Sequence, residues 1–141
     1  MKDKNIITVD GPSASGKGSL AKGLAEELGF LLLDSGLLYR AYSYCFDKTS
    51  NHSDAKDLFS NLRIDNIDQK MHVFEDNDDI TQILRNENIA KSASKLSSLR
   101  ETRDNLIVFQ RDLAGDHGLV ADGRDMGTVV FPDAKTKIFL V

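Results

Sequence analysis

The chain has 141 residues, 40% of them hydrophobic and 28% charged, with ten Gly, two Pro and a single Cys; such proportions suit one globular domain and exclude a disordered or fibrous protein. A fold of this size buries roughly two-thirds of its unfolded surface without needing disulfides, and Cys45, which can form no internal bridge, points to a reducing, cytoplasmic setting. The net charge of −4 is concentrated between residues 54 and 89, nine acids against four bases, and no Lys/Arg cluster supplies the basic face that a long polyanion needs, so nucleic-acid binding is not expected.

In chain order, the opening MKDKNIITVDG holds an apolar stretch too short for a signal peptide, and no later run reaches the roughly 18 residues of a membrane span, so no membrane partner is expected either. Ile6 to Val9 form a short β-prone run, Gly11 to Gly18 interrupt it, and Leu20, Leu24 and Leu28 then recur at helical spacing, with Ala21 and Ala25 beside them, up to Gly29. Phe30 to Leu33 make a second apolar run that ends at Asp34-Ser35-Gly36. This is a β-α-β pattern, which favours a parallel sheet with a right-handed crossover. Leu37 to Phe46 reads as a helix and Lys48 to Asp54 as a polar loop, while residues 62 to 80 suggest two or three short strands of a small insertion. Helical texture returns at Ile89 to Leu99 and Arg100 to Leu113; Leu119 to Ala121 form a third core strand, and Ile138 to Val141 begin a fourth.

Three clusters carry chemistry. The first, Gly11-Pro12-Ser13-Ala14-Ser15-Gly16-Lys17-Gly18-Ser19, lies between a strand and a helix and fits Gly-x-x-x-x-Gly-Lys, with Gly18 where Ser or Thr usually follows. Glycines let backbone N–H groups converge on phosphate oxygens, and the helix N-terminus and the Lys17 ammonium add positive charge. Because Gly18 offers no hydroxyl for Mg²⁺, either Ser19 takes that role or the metal is held through water and phosphate.

The second cluster, Asp34-Ser35-Gly36 with Tyr39 and Arg40, falls at the carboxyl edge of a strand, where ligands of open α/β sheets collect. The planar fork of Arg40 matches a phosphate, although the same residue also reads as a surface arginine on an amphipathic helix. The third, Ala121-Asp122-Gly123-Arg124-Asp125-Met126-Gly127-Thr128, again follows an apolar strand and puts Asp122 where a carboxylate could orient Mg²⁺ or its water. Taken alone, it could equally be a salt-bridged turn. His52, His72 and His117 lack metal-ligand spacing, Cys45 reads as a small buried apolar residue, and Asp76 to Asp79 as a solvated turn.

Together the segments Asp10 through Ser19, Leu32 to Gly36 with Tyr39 and Arg40, and ADGRDMGTVVFPDA at Ala121 through Ala134 resemble the bacterial cytidylate kinases over nearly the whole chain, least between Thr49 and Gln82. The resemblance implies transfer of the γ-phosphoryl of ATP to CMP or dCMP by an α/β, P-loop NTPase-type three-layer fold with a central parallel sheet. It implies one nucleotide-kinase domain over residues 1–141, with a monophosphate-binding insertion at about 50–85. Gly11 to Ser19 would hold ATP, with Ser19 on Mg²⁺, while Lys17, Asp122 and Arg124 carry catalysis. Ser35, Tyr39, Arg40 and Arg124 would take the CMP side, and Ser94, Arg103 and Asp125 the cytosine edge. Family members usually continue past Lys137 to Val141 into an Arg-rich lid and a last strand and helix. On this reading the family is monomeric, and a chain stopping at Val141 exposes apolar strand surface that invites self-association. A nucleotide-binding fragment without turnover, or a P-loop kinase for another small acceptor, are the competing expectations.

Overall fold

A computed structural model describes residues 5–12, 14–114 and 117–141. The elements run β1 (Ile6–Asp10), α1 (Lys17–Leu28), β2 (Leu31–Asp34), α2 (Ser35–Thr49), α3 (His52–Ser60), β3 (Arg63–Ile67), β4 (Lys70–Glu75), β5 (Asp78–Asp79), a 3₁₀ turn (Ile83–Arg85), α4 (Glu87–Leu96), α5 (Arg100–Ala114), β6 (Leu119–Gly123), a π turn (Met126–Val130) and β7 (Thr136–Phe139). The chain divides into two units, the first comprising residues 1–35, 66–71 and 109–141 and the second residues 36–65 and 72–108.

The first unit is built on a four-stranded sheet in the order β2-β6-β1-β7, and β1 pairs in parallel with both β6 and β7 while β2 pairs in parallel with β6. Strands covered on both faces read as unbroken apolar runs, which is why β1, β2 and β6 were legible as such. Val9, Leu32 and Val120 meet Ala21 and Ala25 of α1 in one buried cluster, with Leu24, Phe30 and Ile138 packed on it. The helix turns its alanines inward rather than its outer leucines: Ala21 and Ala25 are fully buried, while Leu20 and Leu28 are 37% and 47% exposed. Two alanines one turn apart allow a close approach to the sheet, and Leu24 flanks them.

The outer edge of β2 is closed by side chains. Asn66 Oδ1 accepts from the Leu32 N–H at 2.9 Å, Asn66 Nδ2 donates to the Leu32 carbonyl at 3.1 Å, and the Asp34 N–H meets Met71 Sδ at 3.2 Å. At the opposite edge lies β7, which begins two residues earlier than expected and ends at Phe139.

The second unit contains a helix where the sequence reads as loop. Lys48 and Thr49 finish α2, Ser50 takes a left-handed φ of +66°, and α3 begins at His52. Asn51 caps α3 by accepting the Asp54 N–H at 2.8 Å. Only Ala55 and Phe59 of that helix are buried, too narrow a stripe to announce a helix among polar neighbours. The expected short strands are present as the three-stranded sheet β3-β4-β5. Glu75 of β4 accepts from the Tyr44 hydroxyl at 2.6 Å and from Lys48 Nζ at 3.2 Å, tying the hairpin to α2.

His52 and His72 serve structure: His52 Nδ1 lies 2.8 Å from the Tyr42 hydroxyl, and His72 Nδ1 lies 2.9 Å from Asp79 Oδ2. Cys45 is fully buried, and that burial pushes its thiol pKa up from 9.0 to about 12. The neutral thiol therefore favours the fold in full below pH 9.0, and this contribution is lost as pH rises toward about 12. Cys45 is expected to resist a thiol-specific reagent at pH 8 in the native protein and to react at once in denaturant; rapid labelling without denaturant would contradict its burial.

Candidate nucleotide site

The three parallel strands β1, β6 and β2 end side by side at one edge of the first unit. In register, Asp10 lies beside Gly123, and Asp34 beside Asp122. The glycine-rich loop leaves β1 at this edge. The Gly11 N–H donates to the Gly123 carbonyl at 3.2 Å, so the loop is tied directly to the end of β6. Gly16 takes a left-handed φ of +89° as the N-cap of α1, a conformation that a side chain would strain, and Ala14 adopts φ +63° within the same turn. Of the loop residues read as phosphate-binding, Gly11, Pro12, Ala14, Ser15, Gly16, Lys17, Gly18 and Ser19 are described, and Ser13 lies outside the described residues.

Lys17 Nζ donates to Asp122 Oδ1 at 2.8 Å, and both side chains are largely buried. Burial raises the Asp122 carboxyl pKa, the Lys17 ammonium opposes that shift, and the negative charges of Asp34 and Asp10 add to it. Asp122 is thus a carboxylate that needs a cation beside it. A β-carbon on Gly18 would come to 3.8 Å from Asp122 Oδ2, so the residue after Lys17 passes close to this acid without presenting a hydroxyl to it.

The two residues expected at a metal carry hard oxygens, the Asp122 carboxylate at the end of β6 and the Ser19 hydroxyl in the exposed first turn of α1. Such a set fits Mg²⁺, which keeps several waters and binds through one or two protein oxygens together with phosphate oxygens. Among the described residues no three His, Cys, Asp or Glu side chains form a metal cage.

The remaining residues are distributed between the units. Ser35 is buried in the first unit, where a β-carbon on Gly123 would come within 3.2 Å of its Cβ. Arg124 is exposed and Asp125 half-buried just beyond β6, also in the first unit. Tyr39 and Arg40, half-buried on the second turn of α2, belong to the second unit, as do the exposed Ser94 of α4 and the exposed Arg103 of α5.

Two residues escaped sequence reasoning. Asp10 is 2% exposed, and its Oδ1 and Oδ2 accept the backbone N–H groups of Met126 and Gly127 at 2.8 and 2.9 Å. Arg111 of α5 donates from Nε to the Val130 carbonyl at 2.9 Å and from Nη2 to that of Val129 at 3.1 Å. An acid closing an apolar strand directly before the glycine loop was the one available signal for Asp10. Nothing local marked Arg111.

A parallel α/β sheet whose first strand feeds a Gly-x-x-x-x-Gly-Lys turn and a helix, with the lysine paired to an acid at the end of a neighbouring strand, defines the P-loop class of α/β fold. The sequence model described as Cytidylate kinase matches residues 7–141. The chain is 45% identical to "Cytidylate kinase 2" of Haemophilus influenzae across 96% of its own length and 64% of that protein, and 45% identical to "Cytidylate kinase" of Pseudomonas syringae pv. tomato across 96% and 62%. It is also 42% identical to "Bifunctional pantoate ligase/cytidylate kinase" of Prochlorococcus marinus, across 99% of this chain and 29% of that one. The chain belongs to the cytidylate kinase family, and it spans less than two-thirds of the length of these relatives.

Proposed function

We propose that the protein carrying this chain transfers the γ-phosphoryl of ATP to CMP or dCMP, giving ADP and CDP or dCDP. The observation that carries the reading is the 2.8 Å Lys17–Asp122 pair at the foot of the glycine-rich loop, in a chain of the cytidylate kinase family. Lys17 is held at the foot of the loop by Asp122 and would offer its ammonium to phosphate oxygens that reach the loop amides. Asp122, freed of its lysine, and the Ser19 hydroxyl would then hold Mg²⁺, which when bound supplies positive charge to the phosphate oxygens. Partners are ATP and the acceptor nucleotide. No helix among the described residues is long and apolar enough to cross a membrane, and the cytoplasmic setting of pyrimidine nucleotide metabolism belongs to this same reading.

The acceptor phosphate is already ionised near pH 7, its second pKa being about 6. No general base is needed, and catalysis consists of positioning and charge neutralisation. Arg124, with Tyr39 and Arg40, would grip the CMP phosphate and offset repulsion between two polyanions; Ser94, Arg103 and Asp125 would read the base, and Ser35 would line the acceptor side. In this reading residues 1–141 form one nucleotide-kinase domain, its insertion at about 50–85 serving the acceptor.

A coupled ADP-release assay with CMP, dCMP, UMP and AMP tests the function. The cytosine acceptors should turn over best; a faster non-cytosine acceptor, or ATP binding without turnover on any of the four, would refute it. Arg124→Ala is expected to weaken CMP about tenfold or more, as loss of a charge-assisted phosphate contact requires, with ATP little changed. Equal losses for both nucleotides would put Arg124 on the wrong substrate.

A further inference from the structure

The stretch holding Arg124 and Asp125 runs straight into an unusual turn. The Asp125 carbonyl accepts the N–H groups of Val129 at 2.9 Å and Val130 at 3.2 Å, and the Met126 carbonyl accepts that of Phe131 at 2.7 Å. Turns of this five-residue reach are rare and frequent at functional sites. Both of its ends are secured by ionic side chains from distant parts of the first unit. At the amino end the buried Asp10 carboxylate takes the Met126 and Gly127 N–H groups, one on each oxygen. At the carboxyl end the Arg111 guanidinium takes the Val129 and Val130 carbonyls. An anion at the amino end and a cation at the carboxyl end complement the aligned peptide dipoles. The fit is close as well, since a β-carbon on Gly127 would come 2.7 Å from Thr8 Oγ1 and 3.4 Å from Asp10 Oδ2.

We propose that Asp10 and Arg111 are positioning residues for the acceptor nucleotide: they clamp the turn Met126–Val130 at its two ends and thereby fix the backbone from which Arg124 and Asp125 project. The inference rests on the acceptor role proposed for Arg124 and Asp125. Asp10 touches no substrate in this scheme: it is buried, and each of its oxygens faces an N–H of the turn. Its backbone also ties the clamp to the rest of the edge: the Asp10 carbonyl accepts the Leu140 N–H at 2.8 Å, and the next residue, Gly11, donates to Gly123. A purely structural role would lower stability and weaken both nucleotides alike. A positioning role weakens the acceptor selectively.

The test uses Asp10→Asn in the protein carrying this chain. The amide replaces one acceptor oxygen with an NH₂ that faces a backbone N–H, so one hydrogen bond is lost and the other loses its charge assistance while shape is kept. Hydrogen exchange at the Met126 and Gly127 amides should quicken about tenfold or more, with the β1–β6 ladder unchanged, and CMP should bind about tenfold more weakly while ATP stays within about threefold. Arg111→Gln, which leaves the buried acid in place, should give the same selective CMP loss in smaller measure and decides the matter if Asp10→Asn does not fold. CMP affinity within about twofold of the parent in the folded variants, or parallel losses of CMP and ATP, overturns the positioning role. A parent protein that binds ATP but no CMP overturns the proposed acceptor and this inference together, whereas variants that keep CMP affinity in a parent that binds it overturn the inference alone.

Discussion

Lys17→Ala is expected to cut turnover by about 10²- to 10³-fold, the usual consequence of losing one preorganised charge stabiliser. The structure adds a second effect. Lys17 is the ion-pair partner of Asp122 at 2.8 Å, and without it Asp122 is left among Asp34 and Asp10 with its carboxyl pKa, already raised by burial, free to rise further. A carboxyl whose folded pKa lies above its unfolded value stabilises the fold in full below the unfolded pKa and loses that contribution as pH rises through the folded one. The variant should therefore be closest to the parent in stability under mild acid and fall behind it toward neutrality. Activity in the protein carrying this chain is read at saturating ATP and CMP, and stability by thermal melts at pH 5 and 7.5. Turnover within a few-fold of the parent would remove Lys17 from the chemistry, and a stability gap independent of pH would remove Asp122 as its partner.

Phe59→Ala should cost about 3–5 kcal/mol, the range for deleting a buried aromatic ring. Phe59 is 1% exposed, and its ring centroid lies 6.3 Å from that of Tyr42, which is itself fully buried and receives a hydrogen bond from Asn105 Nδ2 at 3.1 Å. Against a total stability of about 5–15 kcal/mol for a typical domain, that loss is a large fraction. Urea titration followed by circular dichroism measures it, and a midpoint unchanged within error would show that α3 contributes little to its unit.

How much of this was legible beforehand follows from where the information lies along the chain. The strands β1, β2 and β6 are short, continuously apolar and bounded by glycine or acid, and the loop motif between β1 and α1 fixes its own context. Local signals sufficed for those elements and for Lys17 and Asp122 as candidates. Helical spacing marked α1 as a helix but left its inward face open, and it is close approach to the sheet that buries Ala21 and Ala25. The helix α3 was missed because only two of its residues are buried. The Asp10 and Arg111 contacts join residues separated by 116 to 117 and by 18 to 19 positions, and no pattern of neighbouring letters records them.

The side chains along the outer margin of β2 bear on how the sheet meets foreign polypeptide. Asn66 imitates a neighbouring strand against Leu32, and Met71 shields the amide of Asp34. An invading chain would have to eject these substitutes before forming its first rung, so polymerisation by strand addition is obstructed on that flank at the cost of two ordinary residues.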